Sequence, residues 1–137
     1  MTRLIALPLL ALALPAQAEL PPCVSDDLMR QASLVVQITD PSVETFANNI
    51  CRISGTIVQV HRGAANVGQS LTATFDCLID PSQAVIGGTV YSDPDALARA
   101  GAVEVHIGSD GYVAANGAGL IALNAPTQRI AWEPYCS

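Results

Sequence analysis

The sequence has no lysine. All six basic residues are arginine, and they face twelve acids, for a net charge of −6. Such a chain repels phosphate backbones and anionic surfaces, which excludes nucleic acid as an expected partner. Histidine occurs only as His61 and His106, on well-separated segments. A zinc site needs such ligands together with others, and no cysteine pair has CxxC spacing, so neither a metal nor a redox centre is expected. Both histidines fall on the outer phase of their strands and read as exposed surface residues. No GxSxG elbow is present, which removes the usual hydrolase signature. Asn116-Gly117-Ala118-Gly119 has no helix after it and is not a phosphate loop. Asp93, Asp95 and Asp110 lack EF-hand spacing. No cofactor is expected.

What is present begins with an export signal. Arg3 precedes the apolar run Leu4–Leu14, and Ala16-Gln17-Ala18 is a small-x-small cleavage site. Residues 1–18 therefore read as a signal peptide, and 19–137 as one exported domain. Pro21-Pro22 before Cys23 does not resemble a lipoprotein box, so no membrane insertion is expected after cleavage. The short Ala/Leu-rich signal points to the bacterial periplasm. The four cysteines, Cys23, Cys51, Cys77 and Cys136, are even in number, and in an oxidising compartment they read as two disulfides.

The most legible stretch is Cys51–Cys77. Leu71, Ala73, Phe75 and Cys77 alternate with Ser70, Thr72, Thr74 and Asp76, the period of a half-buried strand. Before it, Ile53, Gly55 and Ile57 share one phase, whereas Val58 and Val60 take the other. That slip beside a glycine predicts a bulge. Gly63, Asn66 and Gly68 supply the turn between these strands. Upstream, Ser25 reads as the cap of a short helix ending near Ala32. Leu34–Thr39 reads as the first strand, ended by Asp40-Pro41. The segment 43–49 is either a helical turn or a wide hairpin loop. Downstream, Ser92-Asp93-Pro94-Asp95 starts a helix that Gly101 stops. Val103, Val105 and Ile107 mark strand four, with Glu104 and His106 on the other face, and Gly108–Gly111 turns the chain into strand five. That strand begins at Tyr112, is interrupted at 116–119, resumes at Leu120 and ends before Pro126.

The order β-β-β-α-β-β predicts a mainly β fold. It matches a five-stranded OB-like Greek-key barrel with a short helix between strands three and four. An immunoglobulin-like sandwich is the runner-up; it needs more strands and a tryptophan between the cysteines.

The run VQVHRGAANVGQSL, Val58–Leu71, resembles the hairpin of netrin-like modules and tissue inhibitors of metalloproteinases. Ala32–Val36 is similar to their first strand, and Gly101–Leu123 is compatible with their last hairpin. The resemblance implies an OB-like module. It does not bring inhibition with it, because those inhibitors chelate zinc through an N-terminal cysteine. Here Glu19 should be first and Cys23 lies further in.

Hairpin geometry places Cys51 near Cys77, since their midpoint falls in the Gly63–Gly68 turn, and leaves Cys23 for Cys136. The resemblance also tolerates Cys23–Cys77 with Cys51–Cys136. Tyr112, Trp132 and Tyr135 are candidates for an apolar contact patch. The functional expectation is a non-catalytic periplasmic module that binds a protein or small ligand. The alternative is a small periplasmic hydrolase or metal-dependent enzyme.

Overall fold

The computed structural model describes residues 20–84 and 87–136. The expected signal peptide and its cleavage site lie outside that range. In order, the elements are α1 (Pro22–Arg30), β1 (Leu34–Phe46), β2 (Ile50–Arg62), β3 (Ser70–Asp76), α2 (Pro94–Ala98), β4 (Ala102–Ile107) and β5 (Leu120–Leu123), with single 3-10 turns at Pro81–Gln83 and Ala115–Gly117.

All strands join one antiparallel sheet in the order β3-β2-β1-β4-β5. One sheet is not a sandwich. It is not a closed barrel either: among the described residues no ladder joins β3 to β5. β5 has only four residues, and the chain around Ser92 occupies the end of β3 instead. Ser92 N–H donates to Asp76 O at 3.0 Å, and Leu78 N–H donates to Ser92 O at 3.1 Å.

Three local expectations change. α1 starts at Pro22, not after Ser25, and has no side-chain cap. Proline suits a first helical position because the N–H it lacks would be unpaired there. β1 runs through Asp40-Pro41 to Phe46, and a three-residue turn follows in which Asn48 and Asn49 take positive φ. The register passes from Thr39↔Thr56 to Ser42↔Ser54, so Asp40 and Pro41 together oppose Gly55. A proline is tolerated in a bulge, where no ladder bond is lost. Gly55 lets β1 approach closely just before the bulge: a Cβ there would stand 2.9 Å from both Ile38 Cδ1 and Thr39 O. The bulge at Gly55 thus belongs to the partner strand. The phase slip within β2 comes from two further register shifts, which leave Val58 and His61 as the extra residues.

The sheet is covered on both faces. One face buries Val36, Ile38, Ile53, Ile57, Phe75, Val103 and Val105, with Leu97 of α2 among them. Asp93 caps α2, accepting from the N–H groups of Asp95 and Ala96. The second face carries Val35, Met29 and Ala32, with Ile130 and Trp132 of the C-terminal tail packed against them. The disulfides are Cys51–Cys77 and Cys23–Cys136. Cys51 stands opposite Phe75, so Cys77 is its diagonal neighbour, and the two Cα atoms are 5.7 Å apart. Cys23–Cys136 ties α1 to the tail. Around it, Arg30 donates to Cys136 O at 2.8 Å, and Cys136 N–H donates to the buried Asp26 carboxylate.

Candidate functional site

Two places concentrate polar chemistry. The first is a buried network on the second face of the sheet. Val35 and Gln37 of β1 lie opposite His106 and Glu104 of β4. Strand alternation alone sends Glu104 and His106 to the outer face, and the sequence therefore read His106 as exposed. In the fold that outer face is roofed by the tail, so Glu104 is 0% and His106 1% exposed. His61 is half-buried rather than exposed, and its Nε2 is buried with no partner among the described residues.

Glu104 accepts four hydrogen bonds. Oε1 takes His106 Nε2 at 2.7 Å and Trp132 N–H at 3.0 Å; Oε2 takes Gln37 Nε2 at 2.8 Å and Ala131 N–H at 2.6 Å. Burial pushes this carboxyl up. The bonds from His106, Ala131, Gln37 and Trp132 outweigh burial and hold it down at about 2. A carboxylate only accepts, so His106 carries its proton on Nε2. Its Nδ1 has no partner among the described residues, and its ring meets Trp132 edge-on at 6.1 Å. Gln37 continues the network to Thr127, whose N–H donates to Gln37 Oε1 at 2.7 Å. A carboxylate beside a histidine is half of a catalytic triad. This pair has no solvent access, and the Thr127 hydroxyl on the network is held by Gln37 Nε2 and Arg129 O, not by His106. Its evident work is to pin residues 127–132 across the sheet.

The second place is a cleft of about 470 Å³ between the end of β3 and the β4–β5 connection. The end of β3 (Thr74, Phe75, Asp76) forms one wall, and the β4–β5 connection from Gly108 to Gly117 forms the other. The predicted turn is there: Gly111 N–H donates to Gly108 O at 2.9 Å, and Asp110 Oδ1 accepts from Tyr112 N–H at 3.0 Å. Further on, Ala115 and Asn116 take φ of +53° and +52°. A non-glycine alanine in that region stores backbone strain, a feature that clusters at ligand-contacting segments. Asp76 sits in the wall with its carboxyl raised above the ordinary range by burial. The lining includes Ser109, Asp110 and Tyr112 but neither histidine and no arginine.

The three aromatic candidates do not form one patch. Tyr112 lines this cleft and is 70% exposed. Tyr135 lines a smaller cavity of about 270 Å³ beside Pro22 and is 83% exposed. Trp132 packs into the second core against His106. Among the described residues no group of three or more His, Cys, Asp or Glu side chains is placed to hold a metal ion, and all four cysteines are in disulfides.

Sequence reading found Tyr112 and the Gly108–Gly111 turn, but it missed the Gln37–Glu104–His106 network and the place of Asp76 in the cleft wall. The network left a faint signal: a glutamine, a glutamate and a histidine on strands otherwise rich in valine. No family model, curated protein or solved structure matches the chain. Its two disulfides point to an oxidising, extracytoplasmic setting. No helix among the described residues is long and apolar enough to cross a membrane.

Proposed function

We propose that the protein is a non-catalytic binding module of the bacterial periplasm, exported by its N-terminal signal, with the cleft between β3 and the β4–β5 connection as its ligand site. The cleft carries this reading: it is concave, and it presents a partly buried carboxylate and an exposed tyrosine. Its lining has a hydroxyl at Ser109 and carboxyls at Asp76 and Asp110, but no hydrogen bond among the described residues pairs that hydroxyl with either carboxyl. No nucleophile–base pair is assembled there, which favours binding over hydrolysis. The strand order β3-β2-β1-β4-β5 supports an OB-like reading, in which the gap would lie between the third and fifth strands. In such barrels the third strand and the connection between the last two strands border the ligand face, and the cleft occupies the corresponding place. The netrin-like kinship of Val58–Leu71 belongs to the same proposal.

The test is a titration of the isotopically labelled mature protein. The panel holds amino acids, polyamines, oligosaccharides and short peptides, followed by amide spectra. Shifts gathered at Thr74–Asp76 and Ser109–Val113 are expected from at least one class. Turnover of ester, amide or phosphate reporters, or a panel that moves nothing at the cleft, would overturn the reading.

A further inference from the structure

We infer that the free edge of β3, with the cleft at its end, takes up an extended peptide strand that places a basic side chain in the cleft. This rests on the binding-module reading and names the partner of that site.

The argument starts from hydrogen-bond phase. Cys77 N–H donates to Asn49 O, and Ile57 N–H donates to Gln69 O, each at 2.9 Å. Bonded pairs alternate along an antiparallel ladder. The odd-numbered residues of β3 therefore turn their backbone groups toward β2, and the even-numbered ones turn outward. Asp76 O confirms the phase, because it is met from outside by Ser92 N–H. Ser70, Thr72 and Thr74 thus present N–H and C=O groups off the sheet edge, with no backbone partner among the described residues.

Natural edges are blunted by lysine, proline, bulges or inward charges. This one has none of them. Ser70–Thr74 reads Ser-Leu-Thr-Ala-Thr, the chain contains no lysine, and the β2–β3 register runs without a shift. The opposite edge, β5, offers only four residues. An exposed, uncharged, regular edge is a template for strand addition, in which main-chain bonds give affinity and side-chain pockets give selectivity.

The pocket lies next to the last outward residue. Thr74 lines the cleft together with Asp76 and Asp110, and no basic residue does. Burial raises the Asp76 carboxyl, and it makes no ion pair among the described residues. Arg52, opposite Thr74 on β2, stacks its guanidinium on the Phe46 ring at 5.0 Å instead. A guanidinium or ammonium group on the incoming strand would supply a cationic partner, with Tyr112 at the rim to cover its stem. The net charge of −6 favours a basic partner over a second copy of this chain.

The probes are blocked, fluorescent hexapeptides of alternating Val and Thr with Arg, Glu or Ser at one central position, read by anisotropy on the oxidised mature protein. The Arg peptide should bind at least ten-fold tighter than the Glu peptide, and Asp76→Asn should narrow that preference. Thr74→Pro removes an outward N–H while sparing the β2 ladder, and it should abolish binding. Because that variant could also disturb the strand, a second comparison alters only the probe: N-methylation of its pairing amides should weaken binding more than ten-fold. Equal affinity for methylated and unmethylated probes overturns strand addition. If arginine amide alone binds as well as the peptide, strand addition fails but the cleft remains a ligand site. A concentration-dependent dimer abolished by Thr74→Pro would assign the edge to self-association and overturn the proposal. Binding of no probe overturns it as well.

Discussion

Glu104→Gln should loosen the C-terminal tail, and its cost can be worked from the geometry. The glutamine keeps the shape but places an NH2 group where one carboxylate oxygen stood. In one orientation the amide opposes Gln37 Nε2 and Ala131 N–H; in the other it opposes His106 Nε2 and Trp132 N–H. The second is cheaper, because His106 can change tautomer and accept. Trp132 N–H is still stranded. One orphaned buried donor costs about 1–3 kcal/mol, and the remaining bonds lose their charge assistance. A loss of about 3 kcal/mol follows, or a fall in Tm of about 10–15 °C for a domain of this size.

The titration of Glu104 gives an independent figure. Its carboxyl stands at about 2 against an ordinary 4.5, worth about 3 kcal/mol at about 1.4 kcal/mol per pH unit. A depressed carboxyl stabilises fully above its unfolded value and loses that contribution as pH falls through its folded value. The wild type should therefore lose about 3 kcal/mol between pH 4.5 and 2 from this group, and the variant should lack that component. Urea unfolding across that window measures both. Trp132 is the sole tryptophan and lies on the released segment, so its emission should move to the red in the variant. A loss below about 1 kcal/mol, with unchanged emission, would refute the view that this carboxylate anchors the tail.

Gly117→Ala should cost about 2 kcal/mol or more, since a Cβ there would stand 2.4 Å from Val90 O at a φ of +103°. Gly111→Ala has positive φ but open space and should cost only about 1 kcal/mol; equal values would mean that Val90 does not press on Gly117. The paired change Cys23→Ser with Cys136→Ser opens a bridge between residues 113 apart and should cost about 4.7 kcal/mol. Removal of Cys51–Cys77, 26 apart, should cost less, and a reversed order in urea midpoints would contradict the chain-entropy account. Asp93→Ala removes the cap of α2 and should lower stability by about 1 kcal/mol in the same assay.

Strands were legible in the sequence wherever one face was apolar and the other polar. β3 and β4 have that alternation, and the Gly108–Gly111 turn and the Asp93-Pro94 helix start carry local rules. The length of β1 was not legible. Asp40-Pro41 is a stop signal by local chemistry, and the strand passes it through a bulge, with Asp40 at positive φ and Gly55 opposite. The burial of Glu104 and His106 was hidden for a related reason. Alternation tells which residues share a face, but it does not tell whether a tail from residues 125–136 will cover that face. The start of α1 was missed because prolines read as extended chain unless the helix that follows is known. Among the site residues, Tyr112 could be singled out by type. Asp76 is one acid among twelve, and only its place at the cleft wall distinguishes it.

The opening of the sheet has a structural cause. Closure would need β3 to reach β5, but the chain between Thr89 and Ser92 is already wedged at that seam. Val90 N–H donates to Asn116 O at 2.8 Å on one side, and Ser92 exchanges bonds with Asp76 and Leu78 on the other. Gly117 admits the wedge, because any Cβ there would meet Val90 O. Cys51–Cys77 ties the adjacent end of β3 to β2, so that wall cannot swing inward. The bonds of Ser92 reach β3 only at its Asp76 end. Before that end, the outward backbone groups of Ser70, Thr72 and Thr74 have no backbone partner among the described residues, and Thr74 lines the cleft. The strain at Ala115 and Asn116 belongs to the same arrangement, since their left-handed backbone brings Asn116 O to Val90. The segment at the seam also reaches the proposed binding site, where Thr89 joins the cleft lining.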